Sequence, residues 1–220
     1  SSPVRGSSYD NLDTLRIEEF IGRVGGTTDP RITLKARGLL AERQGELVPT
    51  VAAILLFSDD PETFVPGAFV RVLRYDGIEP QYGQKTNATF DQRICGSLVE
   101  QIAKAEDVVG SLVPSTIRLN ETTGRFESVP SLPKSVWYEA IVNAVTHRSY
   151  SQQGDHIRVT LFDDRLEVAS PGRLPGPVRL DNIRFTRFSR NPRIARVLAD
   201  LKLVQELNEG INRMFADMVL

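Results

Sequence analysis

The chain reads as a mixed α/β protein in two parts. After a flexible tail of residues 1–10, an α+β segment covers residues 11–130, and an α/β segment covers residues 131–220. Three observations predict this. Apolar residues recur at helical spacing in some stretches and alternate at strand spacing in others. Pro130 and Pro133 fall within four residues of each other where the character of the chain changes, which marks an internal boundary. The 220 residues are 40% hydrophobic and 25% charged, a globular mixture with apolar material for a real core.

Composition also excludes several classes. The longest apolar run, residues 51–57, is far short of the roughly 20 residues that cross a bilayer, so no membrane partner is expected. The single cysteine, Cys95, cannot form an internal disulfide; a reducing, cytoplasmic setting is favoured, with Cys95 as a packed side chain. Two histidines and one cysteine are too few for a Cys/His zinc cluster. No signal peptide pattern opens the chain, and Ser1-Ser2-Pro3 without a methionine reads as the cut edge of something longer. Gly83-Gln84-Lys85-Thr86 is too short for a phosphate-binding Gly-x-x-x-x-Gly-Lys-Ser/Thr loop, so a helicase motor is not expected.

The elements follow in order. Asn11-Leu12-Asp13 opens a helix whose apolar residues (Leu12, Leu15, Ile17, Phe20, Ile21, Val24) share a face and which Gly25-Gly26 stops. Asp29-Pro30 is an N-cap with proline at the first helical position, and the spacing predicts a helix to about Arg43. A turn at residues 44–46, a short strand at 47–49 and a helix at 51–57 capped by Thr50 complete a unit resembling a helix-turn-helix; its second helix is wholly apolar and reads as core. Residues 69–75 alternate as a strand, with a partner within residues 86–94. Residues 97–113 form an amphipathic helix ended by Pro114. Strands at 117–119 and 125–129 flank a hairpin turn, Glu121-Thr122-Thr123-Gly124. A helix at 134–147, a hairpin of 157–162 with 166–169, a Gly/Pro loop at 170–177, and helices at about 192–201 and 206–218 follow.

The helix at 134–147 carries the chemistry. Glu139, Asn143 and His147 are spaced i, i+4, i+8, a polar stripe beside the face of Val136, Ala140 and Ala144. Such a stripe is cheap in water and costly if buried without partners. An amide oxygen can ligate Mg²⁺, and a carboxylate one turn away can polarise a water as general base. The alternative is a solvated helix face. His147 reads as a helix-end hydrogen bonder, and His156 has no obvious partner. From Arg173 to Arg196 there are seven arginines against the single Asp181 and no lysine, which suits forked contacts to phosphate or carboxylate, or pairing with acids elsewhere in the chain.

Order and context add a resemblance. Glu139-x-x-x-Asn143 on a helix, then a strand pair, a glycine loop and a later glycine at a helix start resemble the GHKL ATPase superfamily. More specifically, the chain resembles the ATPase-like domain of RecG-related transcriptional regulators of bacteria and archaea. The matching blocks are residues 139–150, 157–162, Asp164-Arg165-Leu166-Glu167, Ser170-Pro171-Gly172-Arg173-Leu174-Pro175, Arg190-Asn191-Pro192-Arg193-Ile194-Ala195 and Glu206-Leu207-Asn208-Glu209-Gly210-Ile211-Asn212-Arg213-Met214. Upstream, Ser8 to Asp13 and residues 38–57 resemble the segment that precedes this domain in the same family.

The resemblance implies a GHKL-like two-layer α/β fold for residues 131–220, with helices on one face of a mixed sheet. It implies Glu139 as the catalytic, water-activating base and Asn143 as the metal ligand, with ATP and Mg²⁺ as the ligands. The nucleotide would lie among Asn143, His147, Ser170, Gly172, Arg173, Arg190 and Gly210. The chain departs from the pattern where an adenine-reading aspartate and a second glycine are expected: it has Ser170 and Leu174 there, and the later glycine motif keeps only Gly210, beside Glu209. The implied function is a ligand-responsive or assembly module of a transcriptional regulator, at most a weak ATPase of the GHKL type. The alternative is a non-catalytic dimerisation scaffold that binds no nucleotide. A homo-oligomer, a dimer first, is expected. DNA would be bound through modules absent from this chain, an AlbA/Schlafen-type domain upstream and a winged helix downstream.

Overall fold

A computed structural model describes residues 2–26, 29–186, 188–204 and 209–218. Helix α1 (Thr14–Val24) starts where Asp13 accepts the Leu15 and Arg16 amides and ends on Gly25 at φ 65°, a left-handed turn that suits glycine. Helix α2 (Pro30–Ala36) is capped by Asp29. It stops well short of Arg43: Gly38 turns the chain at φ +69°, and β1 (Leu40–Arg43) then pairs antiparallel with β2 (Glu46–Pro49) across Gln44 and Gly45, both at positive φ. A helix-compatible sequence was here overridden by the hairpin it can form with its neighbour. The expected tail is pinned: the Val4 amide donates to the Pro49 carbonyl and the Val51 amide to that of Ser2. Helix α3 (Val51–Phe57) buries every residue from Ala52 to Phe57, which makes it a core helix.

The main sheet has the order β4-β3-β7-β8, formed by β3 (Val70–Tyr75), β4 (Ala88–Ile94), β7 (Ile157–Leu161) and β8 (Leu166–Ala169). Strands β3 and β7 are parallel, Val72 opposite Val159, and the other pairs are antiparallel. Two strands thus come from before Pro130 and two from after Pro133, and the two segments share one sheet and one core. Alternation sets the faces: Val70, Val72, Ile157, Val159 and Leu161 point inward, while Arg71, Arg93 and Arg158 line the opposite face, each paired with an acid (Asp91, Glu62 and Asp155).

Helices α4 (Leu98–Leu112) and α5 (Lys134–His147) pack against one another and against this sheet. Helix α4 opens with a full capping box, Ser97 and Glu100 each bonding the other's backbone. Between α4 and α5 the hairpin of β5 (Ser115–Asn120) and β6 (Arg125–Pro130) stands out from the body, with Ile117, Leu119 and Phe126 exposed. Helix α6 (Pro192–Asp200) buries Ile194, Val197 and Leu198, and α7 (Glu209–Asp217) lies on α5. Residues 206–208 of the predicted last helix lie outside the described residues.

Candidate functional site

Helix α5 sinks Trp137, Ile141 and Val145 into the core, which rotates the Glu139–Asn143–His147 stripe to the flank of the helix. The stripe is not bathed in water. The Glu139 side chain is only 14% exposed. Its Oε1 accepts from Asn143 Nδ2 at 3.0 Å, and its Oε2 accepts from Arg213 Nη2 at 3.2 Å. The Asn143 Oδ1, the atom a hard cation would take, has no hydrogen bond among the described residues.

Helix α7 covers this carboxylate. A Cβ on Gly210 would fall 1.8 Å from Glu139 Oε1, so only glycine allows the approach. At the other end of α7, Ser135 Oγ donates to Asp217 Oδ2, so α7 runs antiparallel to α5. Arg213 was not among the residues singled out from sequence. The signal that could have found it is its place three residues after Gly210, on the same face of α7.

The remaining sequence candidates gather one to two turns further along, at the C-terminus of α5, where helical carbonyls need donors. Ser170 Oγ donates to the Ala144 carbonyl at 3.0 Å, Tyr150 OH to that of Val145 at 2.9 Å, and Asn191 Nδ2 to those of Thr146 and Arg148 at 2.9 and 2.8 Å. The Ser149 amide donates to the Pro171 carbonyl at 2.8 Å. The Ser170-Pro171-Gly172 bend therefore lies on the same side of the sheet as Asn143. Gly172 sits at φ +122°, where a Cβ would come within 2.9 Å of Ser149 Cβ and 3.4 Å of the Arg190 guanidinium carbon. Arg190 donates in turn to the Arg173 carbonyl.

His147 is not the helix-end hydrogen bonder expected from sequence: its Nδ1 is buried with no partner among the described residues. Burial, and then the charge of Arg190, push its pKa below the ordinary histidine value and favour the neutral ring. Beside it, Arg148 is wholly buried with no ion pair among the described residues: its Nη2 donates to the Gln152 and Asp155 carbonyls at 3.1 and 2.7 Å, and its guanidinium lies 4.8 Å from the Tyr150 ring centroid.

The arginines between 173 and 196 do not share one face. Arg184 Nε donates to Asn212 Oδ1 at 3.1 Å and Asn212 Nδ2 to the Arg184 carbonyl at 3.2 Å. Arg193 instead packs against Gly38, away from the stripe. Arg187 and the Glu209 side chain lie outside the described residues. Cys95 is exposed rather than packed, with partial burial and Glu62 raising its thiol pKa. His156 does have a partner: it stacks on Phe69 with ring centroids 4.4 Å apart. A cavity of about 260 Å³ lies elsewhere, between α1, α3, α4 and Leu201 and Leu203. Among the described residues no group of three or more His, Cys, Asp or Glu could hold a metal ion, and no helix is long and apolar enough to cross a membrane.

Chemically, Asn143 Oδ1 is a neutral oxygen donor of the kind a hard cation takes, and Glu139 is a carboxylate one turn away. The approach to them is taken up by α7.

Comparisons with known proteins bear on the same region. Residues 154–220 match the family model described as "Putative ATP-dependent DNA helicase recG C-terminal". That stretch holds β7, β8, the Ser170 bend and α7, and begins after the Glu139–Asn143 helix. The match supports a RecG-related, ATPase-like domain there. No match is found among the curated proteins. Among solved structures, the DIP2311 protein from Corynebacterium diphtheriae superposes with a TM-score of 0.72 at 19% identity over 99% of this chain and 42% of that one. The likeness shows the fold. The present chain spans less than half the length of that relative.

Proposed function

We propose that this chain is a nucleotide-responsive regulatory module, the ligand-sensing part of a transcriptional regulator whose DNA-binding parts lie outside it. The observation that carries the reading is convergence: Gly210, distant in sequence, packs against the Glu139 carboxylate that Asn143 holds one turn along α5, and the Ser170–Gly172 bend closes against the same helix. ATP with Mg²⁺ supplies an anionic polyphosphate and a hard cation. Asn143 would hold the cation, the Gly210 backbone would face the phosphate once it has drawn back from Glu139, and Glu139 would orient a water. Ser170 gives no charged reader of the base, since its hydroxyl is spent on the Ala144 carbonyl. Response to ligand, rather than fast turnover, is the fitting role.

Thermal denaturation tests this. Millimolar ATP with Mg²⁺ raises the midpoint of the native chain and leaves that of Asn143→Ala unmoved. No shift in the native chain removes the reading.

A second reading has its own observation. The Arg213–Glu139 and Ser135–Asp217 contacts are those of a polar stripe paired within the chain, as a non-catalytic scaffold requires. On that reading Asn143→Ala changes stability or assembly, and no ligand moves either variant.

A further inference from the structure

Helix α7 engages both the carboxylate of Glu139 and the arginine-rich stretch. On the α5 side, Arg213 holds Oε2 while Asn143 holds Oε1, and the Gly210 backbone closes against the same group. The Gly210 backbone packs so close to Oε1 that it takes the space a water or cation beside it would need, and a guanidinium at 3.2 Å already fills the electrostatic place of a ligand's cation. On the other side, the reciprocal pair of bonds between Arg184 and Asn212 clasps α7, and the Arg184 guanidinium lies over the Phe215 ring, 5.0 Å from its centroid. Arg184 belongs to the 171–190 stretch, which is flanked by Ser170 and Asn191. Both of those residues are anchored on carbonyls at the end of α5.

We infer that α7 is a self-occluding latch: Arg213 closes the Glu139–Asn143 site in the absence of ligand, and the Arg184–Asn212 clasp ties the latch to the arginine-rich stretch. The inference deepens the nucleotide reading and rests on it. Ligand entry requires Arg213 and Gly210 to draw back from Glu139, so ligand competes with a group of its own chain. Whatever engages the arginine-rich stretch also pulls on α7 and changes that competition. The cost appears in apparent affinity, because a site open one tenth of the time binds about ten-fold more weakly than one always open.

Calorimetric titration of ATP with Mg²⁺ into the native chain, Arg213→Ala and Asn212→Ala tests this. Asn212→Ala breaks the clasp without touching Glu139, and serves if Arg213→Ala fails to fold. The expected result is an affinity about ten-fold higher in each folded variant than in the native chain. Amide hydrogen exchange over α7 should speed up in both variants without ligand. If the native chain binds and the variants bind equally well or more weakly, the latch is wrong and the nucleotide reading stands. If native chain and variants all fail to bind at millimolar ligand, both fall together.

Discussion

Gly210 lies so close to Glu139 that a single added methyl group would meet the carboxylate at 1.8 Å from Oε1 and 2.3 Å from Cδ. Within α7 an alanine would ordinarily help by about 1 kcal/mol through helix propensity. Here it must displace a carboxylate held by Asn143 and Arg213. Gly210→Ala is therefore expected to leave α7 helical but loosened from α5, with faster amide exchange over residues 209–217 and little change over the sheet. Unchanged exchange there would show that the close packing does not hold in solution.

Asn191 supplies one amide to two main-chain carbonyls at the end of α5. Asn191→Ala leaves both without their donor, and the expected loss is about 1–3 kcal/mol in chemical denaturation. Asn191→Asp should be worse, because a carboxylate would face two carbonyl oxygens.

Phe57, buried in α3 and tilted against Phe20 with centroids 5.5 Å apart, is core. Phe57→Ala should cost about 3–5 kcal/mol. A loss below about 1 kcal/mol would contradict the core placement of α3.

Both histidines have pKa values lowered from 6.5, His147 by burial and then Arg190, His156 by burial and then Arg158. The unfolded chain therefore binds more protons than the folded chain just below pH 6.5, so stability rises with pH up to that value and is lost as pH falls below it. Urea midpoints measured from pH 7.5 down to 5 should decline below about pH 6.5, and His147→Gln should flatten part of that decline. A flat profile in the native chain contradicts the burial of His147.

Much of this was legible in the sequence, because local chemistry writes local structure. Asp13, Ser97 and Asp29 announced helix starts, Gly25 a helix end, and the spacing of Glu139 and Asn143 one shared stripe. What escaped was non-local. Residues 40–43 suit a helix until the positive-φ turn at Gln44 and Gly45 brings them against residues 46–49. The parallel pairing of β3 with β7 leaves no periodic trace in either strand. The backbone of Ser2 and Val4 carries no mark of the carbonyl and amide groups it meets. At the site, Arg213 faces Glu139 from 74 residues away, and only α7 lying antiparallel on α5 makes them partners.

The side-chain amide of Asn143 gives the most direct test of the account. Its two protons report on Oδ1 and on the neighbouring carboxylate in a nitrogen–proton correlation spectrum, assigned by their loss in Asn143→Asp. The account predicts that these signals move progressively as ATP and Mg²⁺ are added together, while α7 amides shift with them. Signals at Asn143 and α7 that stay in place up to millimolar ligand would contradict it.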